Sequence, residues 1–292
     1  MYEFLIDLQR HAFLQHALAA GILASVASGV VGTFVVVKRI SYLAGGIAHS
    51  VLAGLGAAVY LRESGYWPGL DPLYGAVVAA LSAAVVIGIV SIRAKEREDT
   101  IIGALWAVGM ATGILFIAQT PGYNTDLMSY LFGNILMVSR QNLWLIFWLD
   151  ALVLALTVLF YNQFLAVCFD SEFAQLRGLR VQAFYILLLC ITALTVVVLT
   201  TAVGIVLVIA LLTLPAAIAG AYCKTMRSMM ILSALLCTVF TTSGLVLSYK
   251  PDFPAGATTI LVAGIVYLGV MVVRSVRSRF PLTDHESATG GR

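Results

Sequence analysis

Two residues with chemistry to offer lie inside long apolar runs, His49 and Asp150. On a helix, Gly45 and Gly46 would stand about one turn before His49 and Ala53 one turn after it, so small residues leave open space beside the imidazole. Neutral imidazole is the commonest metal ligand, and a histidine at bilayer depth is costly unless it meets a partner or water. A tight metal site needs three or four ligands. A single imidazole suits a conducting path, where binding must be weak enough to release. The structural alternative is a core histidine bonded to a backbone carbonyl or a threonine hydroxyl. Asp150 follows Trp148 and Leu149 near one end of its run. It reads either as a metal-contacting carboxylate or as a structural hydrogen-bonding group, and nearness to water or a tyrosine hydroxyl favours the second.

Other candidates carry less. Met110, Met128 and Met137 are soft donors, but methionine is more often packing. His11 and His16 flank the start of the first apolar run, and His285 lies on a polar tail. Cys168, Cys190, Cys223 and Cys237 lack metal-ligand spacing and read as small hydrophobes. The sequence has no G-x-x-x-x-G-K-[ST] loop, no Ser/His/Asp set and no H-E-x-x-H.

The elements that must position these residues follow from composition. Of 292 residues, 61% are hydrophobic and 11% charged, against about 25% charged in a soluble domain. So few charges cannot clothe a water-facing surface, and lipid is the apolar partner available. A nucleic-acid partner is not supported, because no basic stripe is interleaved with aromatics. Apolar runs predict spans near residues 13–37, 41–61, 73–92, 101–119, 143–160, 183–199, 203–221, 229–247 and 257–273. Backbone groups in hydrocarbon must bond within their own segment, so each span is a helix. The fold expected is all-α and polytopic, with eight or nine transmembrane helices in a single domain over 1–280 and a polar tail over 281–292. Thr200-Thr201-Ala202 is the turn expected within the uncharged stretch 181–223.

Thirteen of the seventeen Lys and Arg fall on one side if spans alternate back from an inner C-terminus. This bias places the N-terminus outside, with nine spans. Residues 126–136 are apolar but too short to cross, and are expected as a short helix on the outer surface. Two inner segments are candidates for partner contact. One, 168–179, has Asp170 and Glu172 at its start and Arg177 with Gly178 at its end, the pattern of a short capped helix. The other, 215–228, has Pro215 breaking a span before a short basic stretch.

Five stretches together resemble ABC permeases that import zinc, manganese or iron. They are 32–54 (GTFVVVKRISYLAGGIAHSVLAG), 130–136 (YLFGNIL), 169–179 (FDSEFAQLRGL), 203–217 (VGIVLVIALLTLPAA) and 252–258 (DFPAGAT). They keep the family's order and cover nearly the whole chain. The resemblance implies a multi-pass protein of a prokaryotic cytoplasmic membrane that passes a divalent metal ion as substrate and holds no permanent cofactor. It implies a cytoplasmic ATP-binding subunit that performs the hydrolysis, an extracytoplasmic metal-binding protein and a second permease copy, with the lipid bilayer around them. By analogy His49 lines the path, with Gly45, Gly46 and Ala53 giving it room. Ala219, Tyr222, Lys224 and Arg227, with Asp170 and Glu172 beside them, would then meet the ATPase. Many members carry an Asp one turn before this histidine. Gly45 stands there here, which removes a hard oxygen ligand and tilts the expected ion from manganese toward zinc or iron.

Two other readings compete. A permease for metal chelates of the cobalamin or siderophore type would be longer, with ten spans. A secondary transporter would bury more ionisable residues and show an internal repeat, and no repeat is seen.

Overall fold

The computed structural model describes residues 7–93, 98–120, 139–251 and 253–279. The expected surface helix at 126–136, the tail at 281–292, and Met128, Met137, Asp252 and His285 lie outside the described residues.

The described chain is helical throughout. The order is α1 (Ala12–Val37), α2 (Ser41–Glu63), α3 (Pro72–Arg93), α4 (Glu98–Gln119) and α5 (Arg140–Leu159). Two short helices follow, α6 (Tyr161–Phe169) and α7 (Ser171–Leu176). The long helices then resume as α8 (Val181–Val203), α9 (Ile205–Tyr222), α10 (Met226–Tyr249) and α11 (Ala255–Arg279). Among the described residues, nine helices are long and apolar enough to cross a membrane, in the nine places the apolar runs predict. Their interiors lack an amphipathic stripe because one solvent surrounds them, so burial is decided by packing partners.

Those partners divide the bundle. α2 packs between α3 and α4, and α1 packs against α9 and α10. α1 and α2, although consecutive, barely touch. α8 contacts members of both groups. Small residues permit the closest approaches, as expected where lipid provides no hydrophobic force between helices. At the α2–α3 crossing, a Cβ on Gly54 would collide with the Gly75 carbonyl oxygen, and a Cβ on Gly75 with that of Gly54. α1 is crowded in the same way. Its serines turn inward, where Ser25 bonds Thr241 of α10 at 3.1 Å and its own Gly21 carbonyl at 2.6 Å.

Two expectations about α8 and α9 need correction. The connection is not at Thr200-Thr201-Ala202. α8 runs on through Val203, and the single residue Gly204, at φ 84°, joins it to α9. Only glycine takes that conformation without cost, and three β-branched-rich residues could not have made so tight a corner. Nor does Pro215 break its span, since α9 passes through it to Tyr222. Proline leaves the carbonyl four residues earlier without its usual donor. That carbonyl, on Leu211, accepts the buried Cys237 S–H of α10 at 3.3 Å. The neighbouring helix thus supplies what the proline removed.

Candidate functional site

His49 is built into the face of α2 that meets α4. Gly45 and Gly46 precede it by one turn and Ala53 follows by one, as the spacing predicts; both glycines are buried and Ala53 is half-buried. Ser50 anchors the crossing, donating to the Gly46 carbonyl at 2.9 Å and lying 3.3 Å from the Leu105 carbonyl of α4. The imidazole is 9% exposed, and its Nδ1 is buried with no hydrogen-bond partner. The carbonyl or threonine bond that a purely structural histidine would make at that nitrogen is absent.

The indole of Trp106, on α4, lies over the imidazole instead. The ring centroids are 4.1 Å apart and the planes 12° from parallel. Tyr42, one turn before Gly46 on α2, lies 6.3 Å from the same indole, centroid to centroid. A Cβ at Gly45 would stand 3.2 Å from Ile209 Cδ1 of α9 and 3.5 Å from Trp106 Cζ3. Gly45 therefore leaves the space that the indole and Ile209 fill. Trp106 carries no mark in the sequence, because a tryptophan among apolar residues reads as lipid-facing or packing. Only the register of α4 against α2 brings it onto His49.

Asp150 is 3% exposed and neither carboxylate oxygen has a partner. It shares the buried face of α5 with Ile146, Val153 and Thr157, and α5 packs on α1 and α8. Among the described residues, no tyrosine hydroxyl bonds it. The structure does not join it to His49, which lies between α2, α4 and α9. Among the described residues, no three His, Cys, Asp or Glu side chains come together to hold a metal. His11 lies beside Phe13, with ring centroids 5.5 Å apart, and Met110 follows Trp106 by one turn on α4.

The basic ends of the helices converge on one face. Lys38 at the end of α1 donates to the Val167 carbonyl of α6 at 2.7 Å. A cleft of about 370 Å³ between these ends is lined by Lys38, Arg39, Ser91, Ser171, Gln182 and Tyr185, among others. The capped helix expected near 170 is present. Asp170 accepts from the Phe173 amide at 2.8 Å, and the chain leaves α7 at Gly178 with φ 79°. α6 was not foreseen; Phe164 anchors it in the core by edge contacts with Phe34 and Phe184.

Of the partner-facing candidates, Asp170, Glu172, Lys224 and Arg227 are exposed, as are the apolar Phe169, Phe173, Leu176 and Tyr222. The Arg227 guanidinium lies 5.2 Å from the Tyr161 ring, which ties the α9–α10 segment to α6. Ala219 is different: it is fully buried beside Ala216 and Met229, behind the segment and not on its surface. Burial pushes the Cys168 thiol on α6 up to about 11, with the Lys38 charge acting in the opposite direction.

Comparison with known proteins gives a consistent outcome. Residues 10–274 match the model of the ABC 3 transport family. The membrane protein slr2045 of Synechocystis sp. is 44% identical over 92% of this chain and 93% of its own length. The manganese transport system membrane protein MntC of Halalkalibacterium halodurans is 34% identical over 90% of this chain and 88% of its own. The solved structure of PsaBC from Streptococcus pneumoniae in complex with Fab superposes with a TM-score of 0.84 at 31% identity, covering 96% of this chain and 99% of that one.

Proposed function

This chain belongs to the ABC 3 transport family, and from that premise we propose that it is the membrane-spanning permease subunit of an ATP-driven importer of divalent metal ions. The ion is substrate, passing through the bundle without a resident site. One observation carries the role of the path: a nine-tenths buried histidine with an unpartnered ring nitrogen on the small-residue face of α2. An imidazole so placed accepts a passing cation through a nitrogen lone pair, and the absence of companion ligands keeps the contact short-lived.

The likeness to ABC permeases supports three partners. Hydrolysis belongs to a separate ATP-binding subunit, whose docking surface here is the exposed set Phe173, Leu176, Tyr222, Lys224 and Arg227 with Asp170 and Glu172. An extracytoplasmic metal-binding protein delivers the ion. A second permease copy completes the path on the uncovered side of α4, four-fifths of whose span lies outside the packed interior. The chelate-permease reading finds less support, because the match to the ABC 3 family runs nearly end to end and the spans number nine among the described residues.

The experiment is uptake into proteoliposomes containing the permease with its ATPase. His49→Ala should lose more than nine-tenths of metal uptake, a loss on the order of removing one ligand from a weak site, while assembling with the ATPase as the parent does. Uptake at the parent rate would remove His49 from the path.

A further inference from the structure

Among the described residues, Trp106 alone stacks on His49, and nothing in the proposed transport role requires it. We propose that Trp106 is the positioning residue of the His49 site and sets its ion preference. The inference rests on His49 being an ion contact. Three observations carry it. The indole covers one face of the imidazole at 4.1 Å and 12°, so that face is closed to an ion, which meets the ring at its edge, where the nitrogen lone pair lies in the ring plane. The same indole, with Ile209, fills the space beside Gly45, so α2 brings no oxygen ligand to the imidazole from the preceding turn. Nδ1 is buried and unpartnered, so the ring is held by stacking and not by a hydrogen bond that would fix which nitrogen is free.

The consequence is chemical. A contact built of imidazole nitrogen against an aromatic wall favours cations of intermediate softness, the zinc class. It disfavours manganese, which prefers carboxylate, carbonyl and water oxygen. An aliphatic residue at 106 would fill volume without presenting a flat face, and the imidazole would then tilt and swing. An aromatic residue would preserve the stack.

The test uses the permease with its ATPase in proteoliposomes supplied with labelled zinc and manganese together. Both ions are read on one preparation, so a low yield of folded protein cancels in the ratio. Trp106→Phe should keep the zinc-to-manganese uptake ratio close to the parent's. Trp106→Leu should lower it about five- to tenfold, the worth of one aromatic pair. A second arm uses the full chain with Trp67, Trp144 and Trp148 each replaced by Phe, leaving Trp106 as the single emitter. Cobalt(II), an open-shell ion that accepts imidazole nitrogen, should quench that emission saturably, and His49→Ala should abolish the saturable component.

The outcomes separate. If His49→Ala takes up metal like the parent, the transport reading of His49 fails and this inference falls with it. If His49→Ala is inactive while Trp106→Leu keeps the parent ratio, the reading stands and the role given to Trp106 is wrong. If Trp106→Leu carries neither ion, the fluorescence arm decides, and a cobalt quench indifferent to His49 overturns the proposal.

Discussion

At the scale of single residues, the bundle treats His49 and Asp150 differently. His49 has an aromatic neighbour and a free nitrogen, whereas Asp150 has two unpartnered oxygens facing the α1–α8 side. A buried carboxyl without a hydrogen-bond partner costs about 1–3 kcal/mol relative to an apolar group of similar shape. Asp150→Leu should therefore leave uptake within about twofold and raise resistance to thermal unfolding by roughly that free energy; a transport-dead but stable Asp150→Leu would return the carboxylate to the path. The Cys168 thiol, pushed up to about 11 by burial, holds little thiolate at pH 8. It should react with a disulfide reagent about a hundredfold more slowly than a free thiol, because only the thiolate attacks. His49 and its small neighbours were legible in the sequence as an odd polar group among glycines. Trp106 was not, since an aromatic in an apolar run carries no mark of which helix it will face.

At the scale of elements, the nine spans were legible because hydrocarbon imposes one length and one composition on each of them. Most of their ends fall within four residues of the apolar runs, and α11 continues six residues past its run, to Arg279. The failures came where a local breaker was judged by its own propensity. Pro215 continues its helix because Cys237 on another helix satisfies the Leu211 carbonyl. Cys237→Val, which keeps the volume and removes the donor, should cost about 1 kcal/mol in an unfolding measurement, and Cys237→Ser should cost less. The α2–α3 crossing depends on missing side chains, since a Cβ on Gly54 has no place beside the Gly75 carbonyl. Gly54→Ala should destabilise by about 1–3 kcal/mol or move the helices apart. Because α2 carries His49, the same change should reduce uptake even where the protein remains folded.

At the scale of the whole molecule, the charge bias supplied a sidedness that the structure supports by clustering. Lys38, Arg39, Arg177, Arg180, Lys224 and Arg227 belong to segments that meet, through the Lys38–Val167 and Arg227–Tyr161 contacts and the shared cleft. Cysteines placed singly at Tyr66 and at Leu176, both exposed, should therefore label from opposite faces of an intact cell, with Tyr66 accessible to a membrane-impermeant thiol reagent and Leu176 protected until the membrane is opened. Labelling of both from outside would contradict the assigned sidedness. The division of the bundle into two groups bridged by α8 was not legible at all, because helices in lipid carry no stripe to announce their neighbours.

The Gly204 corner has a mechanical meaning. With one residue between α8 and α9, their joined ends are tethered within two peptide lengths, about 7–8 Å. The 18 residues of α9 extend from there for about 27 Å, ending at Tyr222 beside the surface proposed to meet the ATPase. A push delivered at Tyr222 cannot translate the rod; it must swing it about a fulcrum, carrying Ile209 past the indole and Gly45 on the way. Slackening that fulcrum with two extra glycines after Gly204 should leave hydrolysis running while uptake per ATP falls.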